Sequence, residues 1–271
     1  MLPRWDAEWR KVVGKVAFQG SSVIVTGGAG GLGEATARRL SAEGLAVTIA
    51  DLAEVKGRAL AEELGPTATF VATDVTSEDS VRGAIEAAQE LGTLRYCVIA
   101  HGGWGVAQRL VGRSGEPAEL DGFIKTLNLY LTGTYNVARL VAAAVSRAPL
   151  VEDGERGALV MTASIAGYEG QVGQTAYAAA KAGVIGLTLA AARDLSAIGI
   201  RINTIAPGTM KTPLMESVGP EALRQFSANV PFPKRLGEPG EFADAVAFLL
   251  ANRYMNGEVV RLDGAQRFQP K

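Results

Sequence analysis

Apolar residues fall along this chain in two alternating patterns. Short runs rich in β-branched and apolar residues read as strands: "SVIVT" (22–26), "AVTIA" (46–50), "TFVAT" (69–73), "RYCVIA" (95–100), "ALVMTA" (158–163), "RINTIA" (201–206) and "EVVRLD" (258–263). Several are apolar almost throughout rather than at every second position, as strands buried on both faces of a parallel sheet are. Between them, apolar residues recur at helical spacing near 31–43, 54–64, 77–91, 119–147, 175–197 and 239–251, with Ser77 placed to cap the third helix. Strands alternating with helices predict an α/β fold of the Rossmann type, a doubly wound, seven-stranded parallel sheet flanked by helices.

Segments 111–119, 151–157 and 207–238 interrupt the pattern. The last carries Pro207, Pro213, Pro220, Pro231 and Pro233 and is expected to be irregular, a long loop suited to act as a lid. No repeat or Pro/Ser-rich linker divides the chain, so residues 18–271 are expected to form one domain behind an N-terminal extension, residues 1–17. Trp5, Trp9, Val12 and Val13 of that extension share one helical face, suited to docking on the domain or on a neighbouring subunit.

A net charge of −1, with both signs scattered, speaks against a nucleic-acid partner and for a small-molecule ligand. With one cysteine, Cys97, and one histidine, His101, neither an intramolecular disulfide nor a Cys/His metal centre can be assembled, and no metal is expected. Cys97 lies in a strand and reads as packing. The N-terminus has no apolar targeting core, and no uninterrupted apolar run reaches the ~18 residues of a membrane span. The expectation is no membrane association and a cytoplasmic location, with the mitochondrial matrix as the alternative in a eukaryote.

The candidate chemistry begins where the first strand ends. "TGGAGGLGEATARRL" places Gly27, Gly28, Gly30, Gly31 and Gly33 ahead of a helix, where bare backbone can approach a pyrophosphate at the helix N-terminus. Asp51, at the end of the second strand, can accept hydrogen bonds from ribose hydroxyls and would repel a 2′-phosphate, which favours NAD. Asp74 and Val75 end the third strand, where they can meet adenine; an ordinary turn or capping aspartate would look the same.

Tyr177 and Lys181 stand at i and i+4, on one helix face. A free phenol ionises near pH 10, and lowering its pKa by about three units takes roughly 4 kcal/mol, which an adjacent ammonium helps to supply. Ser164 closes the fifth strand, with its hydroxyl available to a substrate carbonyl. Asn128 lies within a helix, where an amide needs a polar partner such as a water. His101 as a base lacks a neighbouring carboxylate or serine, and a cofactor contact is the preferred reading.

Together these residues resemble the short-chain dehydrogenase/reductase family over about residues 18–269. Thr26, Gly27, Gly31 and Gly33 match its cofactor motif, Ser164, Tyr177 and Lys181 its catalytic core, Asn128 its fourth catalytic member, and Pro207 with Gly208 its nicotinamide loop. "SIAGYEGQVGQTAYAAAKAGVIGLTL", "RINTIAPG", "VPFPKRLGEP" and "EVVRLDGAQRFQP" are similar to the type II 3-hydroxyacyl-CoA dehydrogenase branch. Carried over, the resemblance implies cofactor contacts at Gly27, Gly30, Gly31, Leu32, Gly33, Asp51, Asp74, Val75, Ala100, His101, Gly102, Tyr177, Lys181, Pro207, Gly208, Met210 and Thr212. It implies substrate contacts at Ser164 and Tyr177, with Met210, Leu214, Met215, Phe226 and Phe232 lining a lid.

The implied activity is NAD-dependent interconversion of a 3-hydroxyacyl-CoA and a 3-oxoacyl-CoA by a homotetramer. The alternatives are the same chemistry on another secondary alcohol, such as a steroid or a carrier-protein thioester, and a non-catalytic NAD-binding regulator. One departure stands out: "AHGG", Ala100 to Gly103, replaces the family's "NNAG", whose first asparagine braces the sheet, so another group must take that task.

Overall fold

The computed structural model describes residues 18–103 and 105–270, so the docking face read from Trp5, Trp9, Val12 and Val13 lies outside the described residues. Seven parallel strands form one sheet: β1 Ser21–Thr26, β2 Ala46–Asp51, β3 Ala68–Ala72, β4 Thr93–Ile99, β5 Gly157–Thr162, β6 Ile200–Pro207 and β7 Val259–Leu262. Their spatial order is β3-β2-β1-β4-β5-β6-β7, the doubly wound arrangement that the alternating pattern predicts. The order reverses between β1 and β4, which opens a crevice beyond their C-terminal ends.

Helices cover both faces: α1 Gly31–Ala42, α2 Glu54–Leu64, α3 Glu78–Leu91, α4 Leu120–Leu127, α5 Gly133–Val145, α6 Thr175–Ser196, α7 Pro213–Glu216, α8 Pro220–Ala228 and α9 Pro239–Ala251. Because successive strand residues point to opposite faces, each strand feeds two cores. Ile24, Cys97, Ile99, Leu159, Met161 and Ile202 pack with Ile85, Val137, Val141 and Val184 on one side. Val23, Val25, Ile49, Val98, Val160 and Ile205 pack with Leu40, Leu60, Phe242 and Leu250 on the other. Ser77 caps α3 as expected, its hydroxyl accepting the Ser80 N–H at 3.3 Å.

Two expectations need correction. Residues 119–147 are not one regular helix: a π-helical turn, Asn128–Thr132, separates α4 from α5, and the Gly133 N–H reaches back to the Asn128 carbonyl. The 207–238 segment contains α7 and α8, with Pro213 and Pro220 at their first turns, where proline's fixed φ favours helix and its missing N–H costs nothing. Among the described residues α6 is the one helix long and apolar enough to cross a membrane, but it packs on β6 and buries Lys181, Val184, Thr188 and Ala192 within the fold.

Candidate active site

The glycine segment turns sharply out of β1. Gly27 has φ +66°, and an added Cβ there would sit 2.5 Å from His101 Cα. At Gly33 it would lie 2.0 Å from the Gly27 carbonyl oxygen, so the turn and the start of α1 close only without side chains. Gly30, the N-cap of α1, brings no side-chain acceptor to the helix start, leaving that end able to receive an anion. Asp51 flanks this cradle. Its carboxylate accepts the Ala29 N–H at 3.0 Å and the Ala53 N–H at 2.9 Å, which fixes it beside the glycine turn. This space, bare of side chains and bordered by a fixed carboxylate, fits a dinucleotide.

Other positions implied as cofactor contacts surround the cradle unequally. Leu32 packs at the edge of the core, and Gly31 lies against the Thr212 side chain, which itself caps α7 by accepting the Met215 N–H at 3.2 Å. Gly208 follows Pro207 at the end of β6 and donates to the Leu262 carbonyl at 2.9 Å. Gln266, which the sequence reading did not single out, accepts the Thr209 N–H at 3.0 Å and so braces this loop from the C-terminal segment. Asp74 forms a turn of its own, accepting from the Thr76 N–H at 2.9 Å and hydroxyl at 2.7 Å, bonds that lower its pKa. Val75 and Met210 are packed in the two cores.

Ala100, His101 and Gly102 lead out of β4. The His101 ring is buried between two partners, Thr26 Oγ1 at 2.9 Å from Nδ1 and the Leu129 carbonyl at 3.1 Å from Nε2. A carbonyl only accepts, so Nε2 carries the proton and Nδ1 accepts from the threonine. Burial, then the Lys181 cation, pull the His101 pKa down to about 4, against the opposing pull of the Leu129 bond. The ring is therefore neutral, with both nitrogens engaged, and it ties the end of β1 to the π turn.

The pair on α6 stands beside this tie. Lys181 is buried and donates to the Thr162 carbonyl at 2.7 Å; burial pulls its pKa down to about 7. The Tyr177 phenol is pushed above its ordinary value, first by burial and next by Tyr130, while a contact with the Ser164 hydroxyl works the other way. Ser164 lies two residues past the end of β5 and caps the following turn by accepting the Ala166 N–H at 3.1 Å. The structure thus gathers Ser164, Tyr177, Lys181, His101 and Gly27 at the C-terminal ends of β1, β4 and β5.

Asn128 is not brought there. It is exposed, and its side-chain contact is with Thr132 at 3.5 Å, one turn along its own helix. Residues two apart on a helix point about 200° from one another. The inward position belongs to Tyr130, 3% exposed, whose ring meets Tyr177 at 5.0 Å and Lys181 at 4.7 Å. The expectation that Asn128 serves the pair is corrected on this geometry.

Comparison with known proteins agrees with this architecture. A family model described as "Enoyl-(Acyl carrier protein) reductase", from the short-chain dehydrogenase/reductase group, matches residues 27–265. A relative named 3-hydroxyacyl-CoA dehydrogenase type-2 from Drosophila melanogaster is 45% identical over 249 residues, 91% of this chain and 97% of the relative. One of the same name from Homo sapiens is 43% identical over 256 residues, 94% of this chain and 98% of the relative. A crystal structure of 3-hydroxyacyl-CoA dehydrogenase type-2 from Mycobacterium avium is 74% identical, superposes with a TM-score of 0.92, and covers 94% of this chain and 98% of that one. A glycine cradle ending β1, a tyrosine and a lysine facing it from α6, and these likenesses over nearly the whole length make the chain an oxidoreductase of the short-chain dehydrogenase/reductase family.

Proposed function

We propose that the protein is an NAD-dependent 3-hydroxyacyl-CoA dehydrogenase, interconverting a 3-hydroxyacyl-CoA and the 3-oxoacyl-CoA. The observation that carries the reaction type is the placement of Tyr177, Lys181 and Ser164 beside the Gly27–Gly33 cradle. A nicotinamide dinucleotide held by Gly27, Gly30, Gly31, Gly33 and Asp51 supplies the hydride acceptor. In the oxidative direction the Tyr177 oxygen takes the proton of the substrate hydroxyl, and the Ser164 hydroxyl donates to that oxygen as it becomes a carbonyl. Lys181 stabilises the phenolate by its charge. Asp51 repels a 2′-phosphate, and no basic residue follows it in "DLAEV" to offset that, which supports NAD over NADP.

The substrate class rests on the name shared by the relatives described above and on the lid. Leu214 and Phe232 on that segment are 41% and 81% exposed, apolar surface that an acyl chain would cover. Exposed Tyr135, Leu189 and Phe248 are likewise suited to burial between subunits, in keeping with a homotetramer, and the compartment that fits is the cytoplasm or the mitochondrial matrix. A panel of acetoacetyl-CoA, a steroid and simple secondary alcohols, each with NAD(H) and NADP(H), tests the reading. Acetoacetyl-CoA with NADH, and (S)-3-hydroxybutyryl-CoA with NAD, should be turned over best. No turnover of acetoacetyl-CoA beside efficient oxidation of a steroid or simple alcohol overturns the acyl-CoA assignment.

A further inference from the structure

Tyr130 has no part in the reaction just described, yet it touches both members of the pair. Its hydroxyl is fully engaged by Gly103, accepting the N–H at 2.9 Å and donating to the carbonyl. No free O–H remains to meet substrate. What it presents to the site is its ring: Lys181 Nζ lies 4.7 Å from the centroid, and the Tyr177 ring meets it edge to face at 5.0 Å and 84°.

The ammonium beside it is poorly provided for. Lys181 is 3% exposed, with the Thr162 carbonyl as its hydrogen-bond acceptor, and among the described residues no carboxylate forms an ion pair with it. The titratable groups facing it are Tyr177 from its own helix, Tyr130 from the π turn, and His101, held neutral, from the segment after β4; β5 presents only a carbonyl. A cation–π contact is strongest where the cation is desolvated, as here. The π turn matters because it is this segment that carries Tyr130 inward.

We infer that the Tyr130 ring is a positioning element of the catalytic pair, holding Lys181 in its charged form and fixing Tyr177 beside it. The inference rests on the reading of Tyr177 as the acid/base group. Lys181 and Tyr177 titrate as a pair, and loss of the ring lowers the sum of their two apparent pKa values.

Two variants separate the ring from the hydroxyl. Tyr130→Leu should lower kcat for acetoacetyl-CoA reduction about tenfold, with KM and the NADH Kd within about twofold of wild type, and should move the limbs of the kcat–pH profile toward acid by a total of about one pH unit. Tyr130→Phe, which keeps the ring, should stay within about threefold in kcat with the wild-type profile. A wild-type profile in Tyr130→Leu, or a Tyr130→Phe variant as impaired as Tyr130→Leu, overturns the proposal. So does a Tyr130→Leu variant whose NADH Kd rises as much as its kcat falls, since that reports packing alone. A second readout needs no turnover: in protein labelled with carbon-13 at the lysine ε position, the Lys181 signal, assigned by its loss in Lys181→Met, should titrate about one unit lower in Tyr130→Leu and unchanged in Tyr130→Phe. Wild-type protein inactive on acetoacetyl-CoA but showing this shift defeats the substrate reading and leaves the role of Tyr130 standing; an unmoved signal defeats the latter.

Discussion

Replacing His101 by glutamine isolates the cost of keeping a buried imidazole neutral. The ring sits between Thr26 and the Leu129 carbonyl, and its pKa is pulled from 6.5 down to about 4 by burial and the Lys181 cation. Below about pH 6.5 the unfolded chain binds a proton here that the folded chain refuses until about pH 4, so stability falls as pH falls through that window. Integrated from about pH 7.5 to about pH 5, one such group removes about 2 kcal/mol. His101→Gln keeps a donor for the Leu129 carbonyl but gives up the Thr26 bond, a loss of about 1 kcal/mol at neutral pH. The variant should therefore start less stable and lose about 2 kcal/mol less than wild type by about pH 5. Urea unfolding of both proteins across this range, at one protein concentration so that subunit assembly cancels, reads the difference directly. Carboxylates common to the two proteins drop out of the comparison. Stabilities that fall in parallel with pH would refute the assignment of a neutral, doubly bonded His101.

Two further substitutions probe the proposed chemistry. Tyr177→Phe deletes the acid/base oxygen with little change in packing, so kcat should fall by at least about 100-fold while the NADH Kd, read by fluorescence, stays within about twofold; activity within about tenfold of wild type would remove Tyr177 from the reaction. Asp51→Ala removes a carboxylate held by the Ala29 and Ala53 N–H groups, and the ratio of kcat/KM for NAD over NADP should fall about tenfold or more. Equal use of both cofactors by the wild-type protein would dispose of that role for Asp51.

The strands were legible in the sequence because they are buried on both faces, and an apolar run in "SVIVT" or "ALVMT" admits few other readings once helical patterns lie between. Their ends differ from the sequence reading by one or two residues, the ordinary uncertainty of hydrogen-bond boundaries. The proline-rich segment misled for a physical reason. Proline stops a helix from inside but starts one at the first turn, and Pro213 and Pro220 occupy that position. The brace missing at Ala100 was also invisible. It falls to the neighbouring His101 ring, whose partners Thr26 and Leu129 are distant in sequence and meet it only once the chain is folded.

The catalytic pair and its surroundings differ in legibility for the same kind of reason. Tyr177 and Lys181 belong to one helix, and their i, i+4 spacing puts them on one face in any helix that includes both. Their neighbour comes from another element, through a π turn that apolar periodicity does not distinguish from an α-helical one, and the resemblance, together with an amide set in a helix, selected Asn128. Asn128 and Tyr130 are two positions apart, enough to exchange the solvent face for the buried one. The substitution of partner changes the electrostatics. An amide would offer Lys181 an oxygen and a route to water, whereas Tyr130 offers an aromatic face and keeps its own hydroxyl locked on Gly103. With burial alone pulling the lysine to about pH 7, close to the pH at which such an enzyme would work, a contribution the size of one cation–π contact decides how much of the pair is charged.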